Sequence, residues 1–185
     1  MKNDVSNTRR GNPGDAATRL ELLVEPLEFI KEDHMHIRAV CDQIDRIAEA
    51  ILPKKVDISN VLHVLTCEIT VLVEDEEEDL GTLILARCTP EDDIETTLER
   101  LHQQHVDLSE SLPELRDTLN KLTQGHRRAD ARERAVLHAF ANRLRQHIIL
   151  ENALLLPFAK ARLTPDDLVS LRNKMIARRI RTMVT

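Results

Sequence analysis

Three histidines and two glutamates interrupt apolar stripes that otherwise run at helical spacing: His34, Glu76, His105, His147 and Glu151. Imidazole nitrogens and carboxylate oxygens together are a donor set that transition metals accept, with iron, zinc and manganese all compatible. The stripes show why these five should meet. The first reads Leu27, Ile30, His34, Ile37, Cys41, Ile44, and the second Leu62, Leu65, Ile69, Leu72, Glu76, Leu80, Leu83. The third reads Ile94, Leu98, Leu101, His105, Leu108, Leu112, Leu115, Leu119, and the fourth Leu137, Phe140, Leu144, His147, Glu151, Leu155, Phe158. Steps of three and four hold a residue on one helix face, so the polar groups point inward with their apolar neighbours. A buried carboxylate without a partner is strongly unfavourable, and a shared cation is the simplest remedy.

The elements that must position these groups follow from the same periodicity. Four Gly in 185 residues, 31% charged residues and helical apolar spacing favour an all-α chain. The expected helices run from Pro26 to about Ile51, from Asp57 or Ser59 to Arg87, from Pro90 to about Thr123 and from Asp130 to Arg162. A fifth opens at the Thr164-Pro165-Asp166-Asp167 cap and reaches about Arg181. Pro113 lies in the path of the third and should kink or divide it. Short connections favour an antiparallel up-down-up-down four-helix bundle, with an extra C-terminal helix that either caps the bundle or forms a dimer. Residues 1–24 are expected to form a disordered N-terminal tail and residues 25–185 the helical domain.

A repeat with a constant offset of 75 residues relates the second and fourth helices. Val61-Leu62-His63 matches Val136-Leu137-His138, Glu76 matches Glu151, and Ala86-Arg87-Cys88-Thr89-Pro90 matches Ala161-Arg162-Leu163-Thr164-Pro165. Two helical hairpins would then each bring half of a site. Leu72 stands opposite His147 in this repeat. His147 and Glu151 are one turn apart on one face and can ligate together.

The net charge of -6 and the absence of Tyr and Trp argue against nucleic acid, which asks for a basic surface and stacking rings. Cys41, Cys67 and Cys88 are odd in number and show no metal-site spacing; Cys41 is read as a core filler and the set as cytoplasmic. No unbroken apolar run approaches the ~20 residues needed to span a bilayer, so no membrane association is expected. The run Glu74 to Asp79 reads as a solvated face with Glu76 alone turned inward. The basic residues Arg172, Lys174, Arg178, Arg179 and Arg181 read as a solvated helix end. His36 should point away from the site, His63 and His138 should lie on the flanks, and His102 is one turn from His105.

At the site residues the chain resembles the hemerythrin-like family with its HHE cation-binding domain. The stretch Pro26-Leu27-Glu28-Phe29-Ile30-Lys31-Glu32-Asp33-His34 is similar to that family's opening helix, and His147-Ile148-Ile149-Leu150-Glu151 with Leu155-Leu156-Pro157 to its H-x-x-x-E motif and trailing Leu-Pro. His105 matches the third-helix histidine, and the resemblance covers about residues 25 to 165. It implies a four-helix bundle holding a non-haem di-iron centre, used for oxygen, nitric oxide or redox sensing, iron handling or oxygen carriage; with one family ligand missing, one or two ions are expected. The pattern is broken at Leu72, where the resemblance implies histidine, and at Gly81-Thr82, where it implies Phe-Pro. A non-enzymatic metal-binding protein with a small diatomic ligand is the leading expectation. A peroxide-reducing or nitrosative-repair iron enzyme, and a metal-free helical interaction module, are the alternatives.

Overall fold

The computed structural model describes residues 18–184, and among these the chain is helical throughout with no strand. Five helices follow one another: α1 (Pro26–Glu49), α2 (Lys55–Arg87), α3 (Ile94–Gly125), α4 (131–162) and α5 (Pro165–Val184). Of the expected tail, residues 1–17 lie outside the described residues. Residues 20–24 depart from that expectation: Leu20–Val24 form a 3-10 turn, and Leu23 is buried in the core.

Pro26 sits in the first turn of α1, where its missing N–H is no loss. Helix α2 begins at Lys55, slightly earlier than the Asp57 or Ser59 boundary. Helix α3 begins later than its Thr-Pro signal. The Asp92 N–H donates to the Thr89 carbonyl at 3.0 Å, closing a short 3-10 turn over Pro90–Asp92, and the Thr89 N–H donates back to the Asp92 carboxylate at 2.9 Å. Asp93 then adopts a left-handed conformation (φ 47°), so the α-helix starts at Ile94. Pro113 neither ends nor divides α3, which is continuous to Gly125. It lies on the exposed side, where water can serve the carbonyl that loses its helical donor.

The composition of α2 also corrects an expectation. It contains an 18-residue window of mean hydropathy 1.6, so by length and composition it is apolar enough to cross a membrane. Polar residues scattered along it concealed this from a count of unbroken runs. In the fold, Val61, Val64, Leu65 and Leu72 turn one face of it into the shared core.

The core is aliphatic, with Ile30, Ile44, Ile84, Leu115, Leu119 and Leu137 fully enclosed. Each such side chain contributes about 1.5–3 kcal/mol on leaving water. Cys41 is part of it, and burial pushes its thiol up to about 12, which leaves it unreactive.

The 75-residue repeat has a physical counterpart at the helix ends. Arg87 of the first unit makes a two-pronged bond to Asp167 of the second, at 2.8 and 2.9 Å. Arg162 of the second unit bonds Asp92 of the first. Asp92 and Asp167 are themselves repeat partners, and each accepts the N–H of its own threonine, Thr89 or Thr164. The two units thus exchange arginines, and this ties the ends of α2 and α4 side by side.

Helix α4 opens with a reciprocal cap: Asp130 accepts the Glu133 N–H and Glu133 accepts the Asp130 N–H, both at 2.9 Å. Arg127 grips the same Glu133 carboxylate with two 2.7 Å bonds and, as the leading influence, draws its pKa down to about 2. A carboxylate whose folded pKa is depressed adds stability above its unfolded value and loses it as pH falls toward the folded one. Glu133→Gln should therefore lose about 1–2 kcal/mol at neutral pH. The gap from the parent should narrow between about pH 4.5 and pH 2 in a series of denaturant melts. A constant gap across that range would show that the charge of Glu133 is not what holds the cap.

Candidate metal centre

Each of the four longest helices delivers at least one donor. His34 comes from α1, Glu76 from α2, His105 from α3, and His147 with Glu151 from α4; all five are buried. The backbone is unusual where the carboxylates sit. Asp75–Gly81 and Glu151–Leu155 are π-turns, in which hydrogen bonds span five residues and the helix widens locally. In α4, Pro157 has no N–H for the carbonyl four residues back, which favours the widened turn ahead of it. In α2, Gly81 admits the turn. A Cβ there would lie 3.1 Å from the Glu76 carbonyl oxygen and 3.5 Å from Leu98 of α3.

The donor atoms converge. His34 Nε2 lies 3.0 Å from Glu76 Oε1 and 3.3 Å from Glu151 Oε2, and His147 Nε2 lies 3.3 Å from Glu151 Oε2. His105 Nε2 is 3.7 Å from Glu76 Oε2 and 3.9 Å from Glu151 Oε1. One donor atom from each of Glu76, His105, His147 and Glu151 fits within a span of 4.8 Å, and His34 adjoins both carboxylates. Donors about 2.1 Å from a common ion stand roughly 3 Å apart at a right angle and about 4.2 Å apart when opposite. The nitrogen–oxygen separations of 3.0 to 3.9 Å fall in that range.

Three residues that periodicity did not single out fix the imidazoles. Asn152 Oδ1 accepts from His34 Nδ1 at 3.0 Å, Glu77 Oε1 from His105 Nδ1 at 2.7 Å, and Gln104 Oε1 from His147 Nδ1 at 3.0 Å. With every Nδ1 proton committed outward, each neutral ring presents an Nε2 lone pair to the centre. Such outer partners orient metal-binding histidines and raise their basicity. The Nε2 atoms of His105 and His147 face one another at 2.8 Å, a contact that needs a proton or a cation between them. Glu76 Oε2 and Glu151 Oε1 are buried and have no hydrogen-bond partner. Two orphaned carboxylate oxygens beside three inward lone pairs fit a cation by the chemistry of the donors.

The electrostatics reflect the crowding. Burial and the Glu151 charge hold the Glu76 carboxyl far above the usual range. Burial opposes the charged form of His34, yet the Glu76 and Glu151 carboxylates outweigh it and raise this histidine to about 9. His105 is lowered by burial and by His147. The cluster retains protons at neutral pH, and a cation would displace them.

Two openings of different chemistry reach the cluster. A cleft of about 430 Å³ between α2 and α3 exposes it past Glu77, Glu95, Glu99 and His102. A cavity of about 220 Å³ adjoins its other side and is walled chiefly by aliphatic residues, Leu72 among them. Leu72 is 4% exposed and lies one turn before Glu76.

The other histidines do not join the cluster. His36 is buried outside the cluster, with its Nε2 3.3 Å from Glu68. His102 stays outside the cluster, exposed, and shares Glu77 with His105. His138 lies on the flank as expected and pairs with Asp45 and Glu49 of α1.

The acidic run is only in part a solvated face, and the basic C-terminus only in part a solvated end: Glu77, Glu78, Lys174 and Arg181 are exposed. Asp75 and Asp79 are buried, as is Arg178 of α5. Arg178 pairs with Asp75, with Asp79 at 2.7 Å and with Glu74 at 3.0 Å. Arg179 reaches Asp75 at 2.6 Å and lies 4.6 Å over the Phe29 ring, and Lys174 meets Asp79 at 3.1 Å. Helix α5 is thereby fastened to the π-turn that carries Glu76.

A sequence model of the family described as "Hemerythrin HHE cation binding domain" matches residues 25–159. No curated protein matches the chain.

Proposed function

Since the chain belongs to the hemerythrin HHE cation-binding family, we propose that it is a non-haem iron protein whose site senses a small diatomic molecule or redox state, or handles iron. The finer architecture is that of an antiparallel up-down-up-down four-helix bundle, with α5 as an addition laid against α1 and α2. The observation that carries the reading is the wiring of the three imidazoles: every Nδ1 is tied outward, and every Nε2 is aimed at two carboxylates with unpartnered oxygens. His34, Glu76, His105, His147 and Glu151 would hold one or two ions. Mixed imidazole and carboxylate donors suit iron, with zinc and manganese as competitors. Bound iron supplies redox chemistry and affinity for a diatomic ligand.

The chain's own residues set the conditions around it. Asn152, Glu77 and Gln104 hold the rings in register. Leu72 stands where the family would place a histidine, contributes no donor, and keeps its side of the centre dry. Glu77, Glu95 and Glu99 make the cleft between α2 and α3 a negative approach that attracts cations. Because α5 grips the turn bearing Glu76, a change in the site would reach the exposed face of α5, where a partner could read it.

Metal content decides the matter. Purified full-length chain, after anaerobic iron loading and desalting, should retain iron by elemental analysis. His147→Ala should weaken retention by at least about tenfold, whereas His138→Ala, on the flank, should leave it unchanged. A parent chain that holds no metal after loading would overturn the reading. Equal retention in all three proteins would show that the metal sits elsewhere.

A further inference from the structure

The cavity beside Leu72 is larger and less polar than a diatomic ligand requires. Its volume is about 220 Å³. A water molecule takes about 30 Å³ in the liquid, and a diatomic is of similar size. An apolar protein cavity of about 150 Å³ is already enough to stay dry and admit benzene. Size alone therefore points to a guest of several heavy atoms.

The walls define the chemistry of that guest. Ile37, Leu65, Ile69, Leu72, Phe140 and Leu144 line the cavity and offer no hydrogen bonds from their side chains. Its polar side chains lie at two ends, apart from the Glu74 carboxylate, which is held by Arg178 and Arg181. At the inner end lies the His–Glu cluster; at the outer end Thr70 and Ser109 are exposed, which places a mouth between α2 and α3. A charged or many-hydroxyl molecule would lose its hydration along the walls with nothing in exchange. A carboxylate would also meet Glu76 and Glu151.

We propose that this cavity binds a small, neutral, apolar organic molecule of about benzene size, with one edge against the metal-ligand cluster and its body on Leu72. The cavity and its lining carry the binding claim; only the guest's position next to a metal rests on the metal-centre reading. On this account Leu72 is a specificity residue. Its isobutyl group completes an apolar wall that a histidine would make polar. The acidic cleft and the apolar cavity divide the traffic, cations on one side and neutral guests on the other.

The probe is benzene, titrated into full-length chain freed of metal by chelation, with binding read from methyl resonances and from the melting temperature. Saturable shifts are expected in the parent. Leu72→Phe and Ile69→Phe, which fill the cavity from its buried wall and from its partly exposed wall, should each weaken binding at least tenfold in whichever of them melts cooperatively. The absence of saturable binding in the parent overturns the proposal, as does undiminished binding in a folded Phe variant. Iron content is measured on the same preparation before chelation. A chain that takes benzene but never iron would defeat the metal-centre reading and leave this one standing. A chain that takes iron but not benzene would do the reverse.

Discussion

Arg178→Met should destabilise the protein by about 3–5 kcal/mol, the range for removing one partner from a buried ion pair. The loss comes less from the arginine than from what it leaves behind. Asp75 is fully buried and Asp79 is 4% exposed, and both face the Arg178 guanidinium. Arg179 and Lys174 would still touch one aspartate each, which should keep the effect toward the lower end. Denaturant unfolding of the parent, of Arg178→Met, of Asp75→Asn and of the double variant forms a cycle that tests the cause. The double variant should lose clearly less than the two single losses combined, because removing the carboxylate's charge relieves the strain of the missing cation. Strict additivity would mean that Arg178 acts through packing and not through Asp75. The same cycle followed by iron retention should show weaker binding in Arg178→Met, since the freed turn carries Glu76.

Leu72→His should raise iron content toward two ions per chain. The substituted residue would stand one turn before Glu76, the relation that His147 bears to Glu151, and both positions border the same cavity. Without metal the new imidazole would be a polar group on an aliphatic wall, which costs about 1–3 kcal/mol when unpaired. The variant should therefore melt below the parent after chelation and recover most of that difference on iron loading, since binding to the folded state alone adds stability. Iron per chain, and magnetic coupling between the ions, are the measurements. A variant that folds and binds no more iron than the parent would place this position beyond reach of the metal.

Much of the site was legible because its residues break a pattern. A histidine or glutamate at a stripe position has no reason to face inward unless something there requires it, and His34, Glu76, His105, His147 and Glu151 all lie buried together. Asn152, Gln104 and Glu77 break no pattern, because they stand beside the stripes where polar residues are ordinary. Only the histidines' second nitrogens, which need partners, could have pointed to them. His36, off the main stripe, is enclosed all the same, because α1 is covered by more than one neighbour. The acidic run was misread in part. A charge run looks solvated until its counter-ions are known, and those lie about a hundred residues away on α5. The spacing of Lys174, Arg178 and Arg181, which puts them on one helix face, was the available hint. Helix type was legible almost throughout, except at the widened turns, the two that carry the carboxylates and a third over Val64–Glu68. Apolar periodicity averages over several turns and cannot register one additional residue.

That additional residue has a consequence for how the protein could change over time. A π-turn holds one residue more than the α-turn it replaces and absorbs it locally, so the helix on either side keeps its phase. Deleting Ala153, which is neither a ligand nor a partner of one, would let ordinary helix close over the gap in 151–155 while the apolar faces beyond remained aligned with the core. Only the aim of the carboxylate in that turn would be lost. Length and architecture are thus separable here: a single-codon deletion could erase the centre and spare the scaffold, without altering any ligand's identity. In lineages that no longer need the metal, the gap in an alignment would be as telling as a replaced histidine.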